Sequence, residues 1–136
     1  MRSLGLDIGD RRTGVAISDP QGVLAIPLTV LADKDEDATI ANILKLVEQY
    51  EAERIVVGLP YSLDGDLGQQ ADKVISFAKK LSHYGLNIKL WDERLSTKAA
   101  DRLMIEAKTK RNKRKQPRDA LAAALILQGF LDSLGT

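Results

Sequence analysis

The chain opens on strict alternation. Leu4, Leu6 and Ile8 fall on one side of a pleated strand, and Ser3, Gly5, Asp7 and Gly9 fall on the other. Arg11-Arg12-Thr13-Gly14 then makes a turn into a second strand over residues 15–18. Asp19-Pro20-Gln21-Gly22 is a further turn, with proline and glycine where a turn uses them. Residues 23–30 supply a third strand, and Pro27, which has no N–H to donate, assigns part of it to a sheet edge. Three strands joined by short turns form an antiparallel meander.

The period then changes. Ile40, Ile43, Leu44 and Val47 have helical spacing, entered through Asp35-Glu36-Asp37, whose charges suit a helix N-terminus. Residues 54–58 form a short β-branched run, the mark of a strand covered on both faces. After a loop rich in Gly, Asp and Pro, Ala71, Val74, Ile75, Ala78 and Leu81 mark a second amphipathic helix that stops near Gly85. Residues 88–93 are the last strand. Ser96 or Thr97 can cap a third helix running through Met104. Pro117 stands where a final helix begins, and that helix is apolar nearly throughout to Leu127, so it is expected to be buried against the sheet. The expected class is α/β. Its five-stranded mixed sheet has three antiparallel strands followed by two parallel ones, helices on both faces and right-handed crossovers. No repeat or linker interrupts the pattern, so residues 1–136 read as one domain.

Composition narrows the functional classes. With 136 residues, 44% of them apolar and 29% charged, the chain can bury a proper core and is neither disordered nor fibrous. The longest apolar run, residues 120–127, is far short of a membrane span. Asp7 interrupts the start before a signal-peptide core could form, which makes a cytosolic location the expectation. The absence of cysteine excludes a disulfide framework, a thiolate metal site and a cysteine nucleophile. The formal charge of +1 conceals an asymmetry, because residues 108–118 hold seven bases and no acid. The rest of the chain has 13 bases against 19 acids. Taken alone, such a run is more often a solvated loop than a polyanion contact, so its place relative to the chemistry must decide.

Three carboxylates stand out. Asp7 lies in the first strand between Gly5 and Gly9, where missing side chains leave room, and an acid there is costly unless hydrogen-bonded or bound to a cation. Glu93 closes the last strand beside Asp92, and alternation sends those two side chains to opposite faces. If that strand is parallel to its neighbours, both lie at the carboxyl edge where open sheets place ligands. Asp119 falls in the first turn of the final helix, a position that also suits an acid for purely local reasons. The three converge only if that helix packs beside the first strand. Carboxylates without a cysteine or histidine constellation favour hard cations, Mg²⁺ or Mn²⁺. His83, the one histidine, reads as a surface residue, so a nucleophile–histidine–acid triad is not expected. The loop over 58–68 could offer backbone N–H groups to phosphate, but it carries no Walker or G-x-G-x-x-G pattern. Trp91 could stack on a base, although a lone tryptophan in a strand is more often core.

Four stretches together resemble the YqgF-type (RuvX) family of the RNase H-like superfamily, described as Holliday-junction-resolvase-like and as pre-16S rRNA nucleases. They are Leu4-Gly5-Leu6-Asp7-Ile8-Gly9 with Arg12, Thr13, Gly14, Val15 and Ala16; Ile55-Val56-Val57-Gly58-Leu59-Pro60 with Asp64-Gly65; Trp91-Asp92-Glu93-Arg94-Leu95-Ser96-Thr97; and the run from Asp119 to Gln128. The resemblance implies an RNase H-like fold and a metal-dependent nuclease hydrolysing phosphodiester bonds. Asp7, Glu93 and Asp119 would be the catalytic metal ligands. In that superfamily two ions about 4 Å apart flank the scissile phosphate, with Asp7 expected to bridge them and Glu93 and Asp119 each to hold one. Arg12, Lys110, Arg111, Lys113, Arg114 and Lys115 would grip the nucleic-acid backbone. Placed just before Asp119, the basic run becomes a nucleic-acid contact rather than an idle loop.

The junction resolvases of the superfamily carry a fourth acid where this chain has Ala122, and symmetric junction cutting also needs a dimer. Processing the 5′ end of precursor 16S rRNA therefore ranks above resolution of branched DNA, and monomer against homodimer stays open. A non-catalytic nucleic-acid-binding module is the alternative, opposed by the presence of all three acids. A phosphotransferase of the actin and sugar-kinase type would need two such domains.

Overall fold

A computed structural model describes residues 1–60, 68–93 and 118–135 of the chain. The helix expected over 96–104 and the basic run over 108–117 lie outside the described residues. The elements are β1 (Ser3–Ile8), β2 (Thr13–Ser18), β3 (Ala25–Leu31), α1 (Glu36–Tyr50), β4 (Arg54–Leu59), α2 (Gln69–Ser82), β5 (Ile88–Asp92) and α3 (Arg118–Leu134). They form one five-stranded sheet in the order β3-β2-β1-β4-β5. β1 pairs antiparallel with β2 and β2 with β3, whereas β1–β4 and β4–β5 are parallel. This is the mixed sheet the periodicity predicts.

Local chemistry explains the boundaries. β3 starts at Ala25 rather than residue 23, because the Asp19 carboxylate accepts from the N–H groups of Val23 (2.7 Å) and Leu24 (3.0 Å). That Asx-type closure extends the turn past Gly22. Pro27 does lie on the edge strand, and the β2–β3 register shifts between Val15 and Ala16 opposite it. Asp35 caps α1 by accepting from the Ala38 N–H at 2.8 Å. β4 is buried from Ile55 to Leu59, as the β-branched run requires of a strand between two neighbours.

The helices divide between the faces. Ile40 and Ile43 of α1 and Ala71, Val74, Phe77 and Leu81 of α2 pack on Leu4, Leu6, Val15, Ile17, Ile55 and Val57. On the other face Ala123, Ala124, Ile126, Leu127 and Phe130 of α3 pack on Ala16, Ala25 and Val56. Gln128, though polar, is buried there, and its Oε1 accepts from the Ala25 N–H at 2.8 Å while its Nε2 donates to the Val23 carbonyl at 2.9 Å. A satisfied polar peg thus fixes α3 against the edge strand. No described helix is long and apolar enough to cross a membrane.

Candidate active site

The site is built at the carboxyl edge of the parallel strands. Asp7 is the penultimate residue of β1, and Glu93 directly follows β5. β4 runs between those strands, and its pairing of Val57 with Leu6 and of Gly58 with Trp91 sets Gly58 between the two acids. A Cβ at Gly58 would stand 2.9 Å from Glu93 Oε1 and would collide with the Ile126 side chain. The missing side chain is therefore the space across which Glu93 reaches Asp7. On the other flank Asp7 is the direct partner of Gly14 on β2, where a Cβ would run into the carbonyl of Asp119. Gly14 lets the first turn of α3 rest on the strand itself. Two glycines bracket Asp7, one admitting Glu93 and the other Asp119.

Electrostatics follow from that crowding. Glu93 is exposed as a residue, but its carboxyl end is tucked against Gly58 and Asp7. Desolvation, then the charge of Asp7, a hydrogen bond with Asp7 and the charge of Asp92 push it from 4.5 up to about 7. Asp7 is raised as well, first by desolvation and next by the charge of Asp119, while the hydrogen bond with Glu93 acts the other way. A hydrogen bond between two carboxyls requires a proton on one of them. The two acids share a proton and titrate as a pair.

Asp119 is turned outward, with Arg12 Nη1 3.9 Å from its Oδ2 and side-chain exposures of 69% for Arg12 and 38% for Asp119. A pair so exposed and so long is worth at most about 1 kcal/mol, so Arg12 is easily redirected to another anion. The structure brings Asp7 and Glu93 into contact and sets Asp119 close enough to act on Asp7 through its charge. As the side chains stand, no three His, Cys, Asp or Glu residues form a ready metal cage among the described residues. The donor set nonetheless fits a hard divalent cation, since crowded oxygen ligands held together by a shared proton lack only a positive partner.

Trp91 is half-buried and packs against the core beneath α3. Its ring meets Phe130 edge-on at 5.7 Å and 89°, and Arg54 covers the same Phe130 ring at 4.8 Å. His83 is exposed at the C-cap of α2, in keeping with its reading as a surface residue. Ala122, half-buried on α3, follows Asp119 by three residues. The loop over 61–67 and Lys110, Arg111, Lys113, Arg114 and Lys115 lie outside the described residues. Gly14 and Gly58 lie in the stretches that carry the resemblance, but their part in the site is not legible in sequence. Their signal is strand register, which is visible only once the sheet order is known.

Comparison with known proteins agrees with this architecture. The model of the RuvX family, described as Holliday junction resolvase, matches residues 1–133. A Clostridium botulinum protein named "Putative pre-16S rRNA nuclease" is 50% identical over 135 residues, spanning 98% of each chain. One of the same name from Desulforamulus reducens is 45% identical over 134 residues, with 98% of both chains covered. Among solved structures, T. thermophilus RuvC in complex with a Holliday junction substrate superposes with a TM-score of 0.67 at 17% identity, over 100% of this chain and 97% of that one. The sheet and helices thus have the RNase H-like fold of the RuvC-type resolvases.

Proposed function

The chain belongs to the RuvX family, and from that premise we propose that it is a metal-dependent nuclease that trims the 5′ side of precursor 16S rRNA. The observation that carries this reading is the convergence of Asp7 and Glu93 across the bare Gly58, with Asp119 resting on Gly14 at the start of α3. Such a pair, at the carboxyl edge of a parallel β-unit, is costly unless something positive is to bind there.

Asp7, Glu93 and Asp119 would hold two Mg²⁺ or Mn²⁺ ions. Bound there, the ions would lower the pKa of water and stabilise the charge that develops on the scissile phosphate and its leaving oxygen. The chain's own residues do the rest. Asp7, central between Gly14 and Gly58, is placed to serve both neighbours. Glu93 must give up its proton before both carboxylates can ligate, so metal loading competes with protonation and rises with pH. Arg12, loosely held by Asp119, turns to a non-bridging phosphate oxygen and fixes the strand's register. The bases over 108–118, which precede Asp119 in the sequence, supply backbone affinity. Residues 1–136 act as a single nuclease domain in the cytoplasm.

Resolution of branched DNA is the second reading, favoured by the family's own description and by the fold match. Ala122 in the place of a fourth acid counts against it. The test is cleavage of a labelled precursor 16S rRNA 5′ fragment and of a four-way DNA junction with Mn²⁺, comparing wild type with Asp7→Asn. RNA cutting that vanishes in the variant is the expected result. Cutting of the junction alone would transfer the assignment to resolution, and no variant-sensitive cutting of either would leave a binding module.

A further inference from the structure

On the opposite face of the β1–β2 hairpin from Asp7 lies a cavity of about 570 Å³, walled by the hairpin, the start of α1 and the first half of α2. Its volume falls within the range of small-ligand sites and is too small for a duplex. Its floor is apolar, formed by Ile8, Leu31 and Phe77. Its rim is charged, and the charges are not equally available. Asp10 is paired with Lys73 at 3.3 Å, Glu36 with Lys80 at 2.6 Å, and Asp35 caps α1. Asp33 accepts from Asn42 Nδ2 at 3.0 Å through Oδ1, and its Oδ2 is buried without a hydrogen-bond partner. Asp72, on the same rim, has no ion pair among the described residues, and neither do Arg11 and Lys34. Arg12 belongs both to this cavity and to the active site, where it pairs with Asp119.

An apolar floor with two uncommitted cations, Arg11 and Lys34, and the unpaired Asp72 carboxylate on its rim together suit a nucleotide. The base would cover the floor, a phosphate would take the cations, and a sugar hydroxyl or exocyclic amine could donate to an acid. Resting on the nuclease reading above, the geometry points to this cleft as the seat of one unpaired nucleotide of the substrate strand, next to the scissile phosphate that Arg12 orients. The bond to be cut then lies beside a single-stranded position, because a base held in a paired stack cannot enter the cleft. The same chemistry could come from a free mononucleotide, so the experiment separates the two sources.

An oligoribonucleotide of the precursor 5′ region, carrying one 4-thiouridine at successive positions around the cleavage point, is photocrosslinked to Asp7→Asn protein and the joined peptide is mapped. Crosslinks are expected from one flanking position into segments 31–39 or 69–77. In otherwise wild-type protein, Arg11→Glu and Lys34→Glu should each weaken binding of that RNA on the order of tenfold, with folding checked by circular dichroism. Pairing the flanking nucleotide to a complementary strand should weaken cleavage to a similar extent. Both variants binding and cutting like wild type, with no crosslink in those segments, would overturn the cleft assignment and leave the nuclease reading intact. AMP shifting the amide resonances around the cleft without competing with the RNA would assign the cleft to free nucleotide and overturn it as well. RNA neither bound nor cut by wild type would sink the nuclease reading and the cleft together.

Discussion

The same strands present two very different faces. Toward α1 and α2 they show Leu4, Leu6, Val15, Ile17, Ile55 and Val57, all buried. Toward α3 they show Gly5, Gly14, Ala16, Val56 and Gly58, with Asp7 among them. Bulky side chains keep the first pair of helices at ordinary packing distance and contribute roughly 1.5–3 kcal/mol each by burial. On the sparse face a Cβ at Gly5 would already lie 2.7 Å from Leu127 Cβ, so α3 sits almost on the strand backbone. That closeness brings Asp119 to Asp7, and the bare Gly58 admits Glu93. One face holds the fold together and the other gathers the candidate acids, and the two can be broken separately.

The largest separation should come from Asp7→Asn. Cleavage is expected to fall on the order of a thousandfold, about 4 kcal/mol in the barrier, measured as kcat on the labelled precursor. Its melting temperature should not fall, because the replaced carboxylate is desolvated and crowded. A variant that unfolds instead would show Asp7 to be a structural residue. Leu6→Ala on the bulky face should do the reverse. It should lose roughly 2–5 kcal/mol of stability in urea, with kcat per folded molecule retained at low temperature. Equal losses of kcat and stability would erase the division between the faces.

Gly58→Ala probes where they meet, since the new methyl presses on both Ile126 and Glu93. A stability loss of about 1–3 kcal/mol and a marked fall in kcat are expected. Adding Ile126→Ala should restore most of the stability but not the cleavage. If kcat returned with stability, the glycine would serve packing alone.

Next in size is a pH effect in metal-free protein. Glu93 titrates near 4.5 when unfolded and at about 7 when folded. Between those values the folded chain binds more protons than the unfolded one, so stability present below about pH 4.5 is lost as pH rises through about 7. Asp7, also raised, acts in the same direction. Glu93→Gln should flatten the profile over that window in chelator-treated protein, whereas an unchanged profile would assign the titration elsewhere.

The smallest effect concerns the basic run. Neutralising Lys110, Arg111, Lys113, Arg114 and Lys115 should lower the slope of log affinity against log salt by roughly 0.7 to 0.9 for each phosphate that the protein ceases to neutralise. A slope that stays put would return that segment to solvent.

Much of this molecule could be read along the chain. Alternation in Leu4, Leu6 and Ile8, helical spacing in Ile40 to Val47 and the β-branched run before Gly58 each report a local period, and local periods survive in sequence. Pro27 announced the edge strand for an equally local reason, the missing N–H. The three acids were also legible as candidates, because a carboxylate in a strand or at its end stands out against its neighbours.

What the chain could not disclose is who faces whom. Asp7 is 86 residues from Glu93 and 112 from Asp119, and their approach depends on β4 inserting between β1 and β5 and on α3 lying against bare backbone. The role of Gly14 and Gly58 exists only in that register, for a glycine in a sequence signals freedom without saying what fills the space. The cleft behind the hairpin is likewise a product of three elements distant in sequence. Composition and period are properties of neighbours along the chain, and they determined the elements and the kind of chemistry. Proximity, shared protons and the charges left unpaired are properties of neighbours in space, and only the tertiary structure decided them.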